Sequence, residues 1–258
     1  MNPWLALGLI AAACWNAWLD LAARLDAASA ASLLLVVGAI AVPALLRPAS
    51  VHAVSTGPLV VLLSIYIAAS VFAPPIFAMA SALMAVCWCL HGGRGQGAPR
   101  AALIGLALLA LPIVPTLEFY GAYPVRLAAI EASAGLLRMN GLAVGVDGLA
   151  LRFGDELIQF DAPCSGVHML WTCWFLASAL AWLYRFGTWR YGLSLLIATA
   201  LAIAGNVVRA TSLFYVEAGL IGPGDAGWLH EGIGLVAFAI TAALLFGVLK
   251  PRSRAAGA

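Results

Sequence analysis

Apolar runs close to the length that crosses a bilayer recur along almost the whole chain of 258 residues. A helix needs about 20 apolar residues to span the hydrocarbon core of a membrane. Charged residues make up 9% of the sequence, against about 25% in soluble domains. The sequence therefore predicts a single integral membrane domain, residues 1–258, with an all-α fold, a polytopic transmembrane helical bundle of about eight spans. The candidate spans are residues 4–20, 29–46, 58–73, 75–90, 100–118, 164–184, 191–216 and 228–249.

Two of these assignments leave room for interpretation. The third and fourth spans form one apolar run that is divided only by Pro74 and Pro75, and each half is short for a full crossing. They form either a tight hairpin of two spans or a re-entrant pair. The N-terminal stretch lacks a basic region and a clear cleavage site, so we interpret it as a first span rather than a removed signal peptide.

Basic residues between the spans predict the orientation of the bundle. If every candidate span crosses, these residues fall on one side, which the positive-inside rule makes cytoplasmic. We therefore expect a multi-pass protein of the inner (cytoplasmic) membrane, with both termini inside and the lipid bilayer as a partner. A net charge of +2, carried by singly scattered basic residues, does not indicate a nucleic-acid partner. The basic residues in question are Arg47, Arg94, Arg100, Arg185, Arg190, Lys250, Arg252 and Arg254.

Residues 119–163 form the longest segment without a span, and this topology places them on the outer side. Apolar residues recur at helical spacing over 123–138, which predicts a short amphipathic helix at the membrane surface. Apolar and polar residues then alternate around Asp-Gly at 147–148 and Gly-Asp at 154–155. That alternation predicts one or two small β-hairpins.

Chemically distinctive side chains stand at the outer ends of three successive C-terminal spans. Cys164 opens the sixth predicted span, Arg209 lies towards the outer end of the seventh, and His230 is near the start of the eighth. The topology therefore predicts that the three lie at one depth. A charge within a span is costly and generally faces a cavity or a partner, so Arg209 requires an anionic partner or substrate.

Cys164 has the sequence setting of a nucleophile. It follows Pro163 and begins a predicted helix, where unpaired backbone amides and the helix dipole favour an anion. We therefore expect the pKa of its thiol to fall towards that of a reactive thiolate. Attack on a peptide carbonyl also requires proton transfer and a donor to the developing oxyanion, which a histidine and an arginine can supply. The three residue types together predict acyl transfer.

Each residue also has a structural interpretation. A cysteine often serves as a small residue at a helix start, a histidine as an interfacial polar group, and Arg209 can extend towards lipid headgroups. His168 competes for the histidine role because it lies four residues after Cys164 on the same predicted helix. Spacing alone does not choose between His168 and His230. Four of the cysteines lie in apolar runs, namely Cys14, Cys87, Cys89 and Cys173. We expect neither a disulfide framework nor a metal or organic cofactor.

The C-terminal half resembles the exosortase/archaeosortase family of membrane-embedded cysteine transpeptidases. The resemblance rests on three motifs in order, Cys-Ser-Gly at 164–166, Asn-x-x-Arg at 206–209, and a histidine followed by glycines at 230–234. It covers roughly residues 120–245, within a catalytic-motif half of 120–249. Pro163 and Val167 depart from the residues common in the family, which bears on the subfamily more than on the reaction.

The resemblance implies a role for each of these residues. Cys164 would be the nucleophile, Arg209 the arginine that activates or stabilises, and His230 the general acid/base. Further candidates for supporting roles are Ser165, Asn206 and His168. The implied substrate is a membrane-anchored protein with a C-terminal sorting signal, made of a short motif, a transmembrane helix and a basic tail.

The expected activity is that of a cysteine-dependent peptidase or transpeptidase whose site faces the outer (periplasmic) side. The sequence does not decide whether water or an unknown acyl acceptor resolves the acyl-enzyme. Two other classes stay open. One is a transporter or channel with Arg209 as an anion site, and the other is a non-catalytic assembly subunit.

Overall fold

A computed structural model of the chain describes residues 1–24, 33–34, 37–38, 54–91, 100–159, 166–221 and 227–251. The second candidate span, at 29–46, lies largely outside the described residues. Other residues used above also lie outside them: Arg47, Arg94, Pro163, Cys164, Ser165, Arg252 and Arg254.

The chain divides into two compact units, each with its own core. The first unit comprises Met1–Ile113 and Ser178–Gly192, and the second comprises Val114–Ala177 and Leu193–Ala258. All three sequence motifs that carry the family resemblance belong to the second unit.

The first unit begins with a bent pair of helices, α1 (Pro3–Ala13) and α2 (Trp15–Arg24), which make an angle of 71°. The predicted first span at 4–20 is therefore broken at Cys14. Helix α1 starts where Asn2 places its side-chain oxygen 2.9 Å from the Trp4 amide, and Pro3 occupies the first helical position. Proline fits there because its missing N–H would lack an intrahelical partner anyway.

Helices α3 (Thr56–Phe72) and α4 (Pro75–His91) pack against each other across a two-residue connection. The break falls at Pro74 and Pro75 as predicted, because proline has no N–H to donate and its ring keeps the preceding residue out of the helical region. The Ser81 hydroxyl donates to the Leu62 carbonyl at 2.6 Å and ties the two helices together. Their contact has the form of a helical hairpin.

The predicted fifth span at 100–118 is wrong as a continuous helix. Helix α5 (Arg100–Leu109) ends early, and α6 (Val114–Met139) begins after a short break that contains Pro112. The proline explains the break, since it cannot donate the hydrogen bond that would continue α5. Residues 123–138, predicted as a short amphipathic helix, are helical, but they form the second part of a 26-residue helix.

Three short antiparallel strands follow α6 in the order β1 (Val144–Asp147), β2 (Ala150–Phe153) and β3 (Glu156–Gln159). The predicted hairpins are confirmed, and their turns contain Gly148 and Gly154, both with φ near +60°. Each strand contributes one buried residue to a core that α6 and the later helix α8 complete, and partly buried strand residues pack against it. The buried members of this core are Ile130, Ala134, Leu137, Val144, Leu151, Ile158, Ala210, Leu213 and Phe214.

The remaining helices are α7 (Val167–Leu183), α8 (Thr188–Glu217) and α9 (Gly227–Leu249), close to the last three predicted spans. Helices α8 and α9 are long and apolar enough to cross a membrane, and the α1–α2 pair is a third if it counts as one span. Helices α3, α4 and α7 are apolar but have only 17 residues each. The structure is thus mostly helical with two or three candidate spans among the described residues, and the eight-span bundle stays a prediction.

Candidate active site

Helix α8 carries two of the predicted site residues on one face. Asn206 and Arg209 are three residues apart, a spacing that puts both side chains on the same side of a helix. The Asn206 side chain is almost fully buried, at 2% exposure, and Arg209 is half-buried. Helix α8 is held in place around them by the Ser133 hydroxyl of α6, which donates to the Val207 carbonyl at 3.4 Å.

Gly166, the glycine of the Cys-Ser-Gly motif, lies directly against Asn206. A Cβ added at Gly166 would stand 2.8 Å from Asn206 Nδ2 and 2.9 Å from its Cγ. The residue also has a φ of +76°, in the left-handed region that side chains other than glycine rarely adopt. Two independent constraints therefore require glycine at this position.

Gly166 also fixes where α7 begins. Its carbonyl accepts the Leu170 amide at 2.9 Å, the first bond of the helix, while its positive φ is not helical. Helix α7 thus starts at Val167, three residues after Cys164. Cys164 itself lies outside the described residues, so its predicted place on one helix face with His168 stays a prediction.

Arg209 lies against the helix that carries His230. A Cβ added at Gly234 would stand 3.2 Å from Arg209 Nε and 3.6 Å from its Cζ, so the guanidinium lies along the α9 backbone at this point. Gly234 is four residues, about one helical turn, after His230. The structure therefore brings Arg209 to within about one turn of His230 along α9.

A second close contact between helices of this unit lies at Gly205, about one turn before Arg209 on α8. A Cβ added at Gly205 of α8 would overlap the Thr241 hydroxyl of α9, and it would stand 3.3 Å from the Met169 methyl of α7. Thr241 is buried and donates to the Ala237 carbonyl at 2.8 Å, so it has little freedom to move. Gly205 thus lets α7 and α9 both approach α8.

His230 has a carboxylate neighbour that the sequence did not single out. Its Nδ1 lies 3.8 Å from Glu217 Oε1, and both side chains are one-third exposed. Glu217 is the last residue of α8 and His230 is in the first turn of α9. The signal available in the sequence was topological, because consecutive antiparallel spans bring the end of one beside the start of the next.

His168 belongs to a different pair. Its Nε2 lies 2.9 Å from Glu118 Oε1, in the first part of α6, and the two side chains are 61% and 41% exposed. The structure thus separates the two candidate histidines. His230 shares the α8–α9 contact with Arg209, whereas His168 is bonded to a carboxylate of α6.

An apolar groove of about 420 Å³ runs between α8 and α9 beside these residues. Its walls include Val208 and Ser212 of α8 and Gly232 of α9, each within three residues of Arg209 or His230 in sequence. The Ser212 hydroxyl donates to the Val208 carbonyl of its own helix at 2.8 Å. The described residues contain no group of three or more His, Cys, Asp or Glu side chains that could bind a metal ion.

The chain was compared with known protein families, curated proteins and solved structures. The sequence profile of the transmembrane exosortase family matches residues 2–247, nearly the whole chain. No curated protein and no solved structure matches the chain. The match includes both units and all three motifs, so the resemblance of the C-terminal half extends to the first half as well. The chain therefore belongs to the transmembrane exosortase family.

Proposed function

We propose that the protein is a membrane cysteine transpeptidase or protease that cleaves C-terminal sorting signals of membrane-anchored exported proteins through an acyl-enzyme on Cys164. Membership of the exosortase family supports a membrane transpeptidase or protease role. One observation carries the residue assignment. A single face of α8 meets a glycine of the cysteine motif through Asn206 and a glycine of the histidine motif through Arg209.

Covalent geometry supports a thiol near this face. Two peptide units separate Cys164 from Gly166, so their Cα atoms are at most about 7 Å apart. Gly166 in turn contacts Asn206, one helical turn from Arg209. Acyl transfer requires a nucleophile, a donor to the oxyanion and a group that transfers protons. A thiol, a guanidinium and an imidazole that lie close together can supply all three.

The proposed first step forms a thioester. The Cys164 thiolate attacks the peptide carbonyl of the substrate, and the Arg209 guanidinium stabilises the negative charge that develops on the oxygen. The C–N bond then breaks, and His230 gives its proton to the leaving amine. We assign these proton transfers to His230 rather than to His168, because His230 is about one helical turn from the contact between α9 and Arg209.

The second step releases the acyl group. An acceptor amine or water attacks the thioester, His230 takes the proton of the attacking group, and the Cys164 thiolate leaves. The two outcomes, transfer and hydrolysis, differ only in this nucleophile. No cofactor takes part in either step.

The proposed setting is the inner membrane, with the site on the outer side and both termini in the cytoplasm. The substrate is then a second membrane protein whose C-terminal helix lies in the same bilayer. Its basic tail stays on the cytoplasmic side for the same reason that orients the enzyme.

The test is processing of a candidate substrate with a C-terminal helix and basic tail in cells, read on a mass-resolved blot. Wild type is compared with Cys164→Ala and with the closer Cys164→Ser. We expect processing by wild type and none by Cys164→Ala. Processing that survives in Cys164→Ala contradicts the proposal and favours a transporter with Arg209 as anion site, or an assembly subunit.

A further inference from the structure

We propose that Glu217 is a positioning residue for the reaction, which acts by orienting the imidazole of His230. The inference rests on the proposed function, because it presupposes that His230 transfers protons. Glu217 does not touch the reacting atoms in this proposal. It fixes the direction in which the ring of His230 presents its other nitrogen.

The geometry of the pair supports this role. Glu217 Oε1 is 3.8 Å from His230 Nδ1, and each side chain keeps only one-third of its surface exposed. A carboxylate beside Nδ1 attracts that side of the ring, so the Nε2 side faces away from Glu217. Arg209 reaches α9 about one turn further along, at Gly234. The Glu217–His230 pair therefore lies about one helical turn from the contact between α9 and the Arg209 guanidinium.

Helix electrostatics give a second, independent reason. A negative charge is unfavourable at a helix C-terminus, and a positive charge is unfavourable at an N-terminus. Glu217 is the last residue of α8, where a negative charge does not stabilise its own helix. The dipole of α8 therefore does not explain a glutamate at this position, whereas a role towards His230 does.

Within the part of the chain that the structure describes, Glu231, Arg209 and Glu118 do not replace Glu217. Glu231, the next residue after His230 on α9, is exposed and projects about 100° away around the helix. Arg209, on α8, carries the opposite charge. Glu118 is on α6 and is bonded to His168 at 2.9 Å.

The experiment measures steady-state processing of a substrate by the full-length protein in detergent or vesicles. Glu217→Gln keeps the size of the side chain and removes its charge. We expect kcat to fall about tenfold to hundredfold, the range seen when a carboxylate that orients a metal-bound histidine is lost, with little change in KM. Glu217→Asp keeps the charge and restores part of the lost rate.

A matched control is available in the second histidine–carboxylate pair. Glu118→Gln makes the same chemical change beside His168, and we expect its kcat to equal that of wild type. Because Glu217 is unfavourable at the end of α8, Glu217→Gln should keep or raise the thermal midpoint of the protein. A structural role would instead lower both the midpoint and the activity.

Three results would overturn the inference. The first is an unchanged kcat in Glu217→Gln, and the second is an equal loss of kcat in Glu118→Gln. The third is a fall in thermal midpoint that accompanies the loss of activity. Failure of the proposed function looks different, because wild type and Cys164→Ala would then process the substrate equally.

Discussion

The side chain of Asn206 lies against the backbone of Gly166, with Nδ2 2.8 Å from the position that a Cβ would occupy. This contact joins the cysteine motif to the face of α8 that carries Arg209. Because Gly166 also has a φ of +76°, the peptide after Ser165 enters α7 in a conformation that only glycine adopts without strain. The asparagine and the glycine thus define how the chain that enters α7 meets α8.

Gly166→Ala should abolish processing and lower stability. The left-handed backbone conformation costs an alanine about 1–2 kcal/mol, and its Cβ would also displace the buried Asn206 side chain. The measurement is the thermal midpoint together with the rate of processing. Gly135→Ala is the control, since that glycine is in α6 and a Cβ there meets nothing within 4 Å. Equal behaviour of the two variants would show that the contact with Asn206 is unimportant.

Gly234→Ala should reduce the rate of processing about tenfold to hundredfold without destabilising the protein. The added Cβ would stand 3.2 Å from Arg209 Nε, so the guanidinium must shift by a few tenths of an ångström, and small misplacement of a catalytic group is costly. The helix itself gains from the change, because alanine is a better helix former. Gly247→Ala, on the same helix in open space, should leave the rate unchanged. A normal rate in Gly234→Ala would argue against Arg209 acting at this place.

Arg209→Lys should lose activity by about 100-fold, the usual effect of removing one donor to an oxyanion. Lysine keeps the charge but lacks the planar fork of guanidinium N–H groups, so it is not a conservative change at such a site. The rate of release of the C-terminal fragment is the measurement. A simple anion site in a transporter would tolerate lysine much better, and near-normal processing by this variant would contradict the proposed role.

Phe214→Ala should destabilise the second unit by about 3–5 kcal/mol, the typical cost of truncating a buried phenylalanine. Phe214 is fully buried, and its ring meets that of Phe153 edge to face at 5.6 Å between centroids. The change would loosen the packing of the small sheet on α8, as measured by thermal unfolding. Phe119→Ala removes a ring that is 80% exposed and should shift the midpoint little. Similar midpoints for the two variants would mean that the sheet is not part of a stabilising core.

Strong local signals made much of the fold predictable. Pro74 and Pro75 marked a helix break, the two Asp-Gly and Gly-Asp pairs marked the turns of the sheet, and the last three apolar runs became α7, α8 and α9. The prediction of the fifth span was wrong because it followed the long apolar run and gave no weight to Pro112, which lies in the break between α5 and α6. Apolar length alone also predicted more spans than there are helices of spanning length among the described residues.

The site was predictable as a set of residue types but not as a set of contacts. Topology predicted that Cys164, Arg209 and His230 lie at one depth. The structure places Arg209 against Gly234, four residues after His230, while Cys164 lies outside the described residues. The pairing of Glu217 with His230 and of Glu118 with His168 depends on helix ends and rotations that periodicity does not fix. Those two pairs separate the histidines, which spacing could not do.

The most direct measurement is the intact mass of the enzyme after rapid acid quenching in the presence of a substrate, with Cys164→Ala as the comparison. We predict a fraction of wild-type enzyme that carries the N-terminal part of the substrate as a thioester on Cys164, which hydroxylamine removes. Cys164→Ala should carry no adduct and release no C-terminal fragment. Fragment release by Cys164→Ala at the wild-type rate would contradict the assignment of Cys164 as the nucleophile.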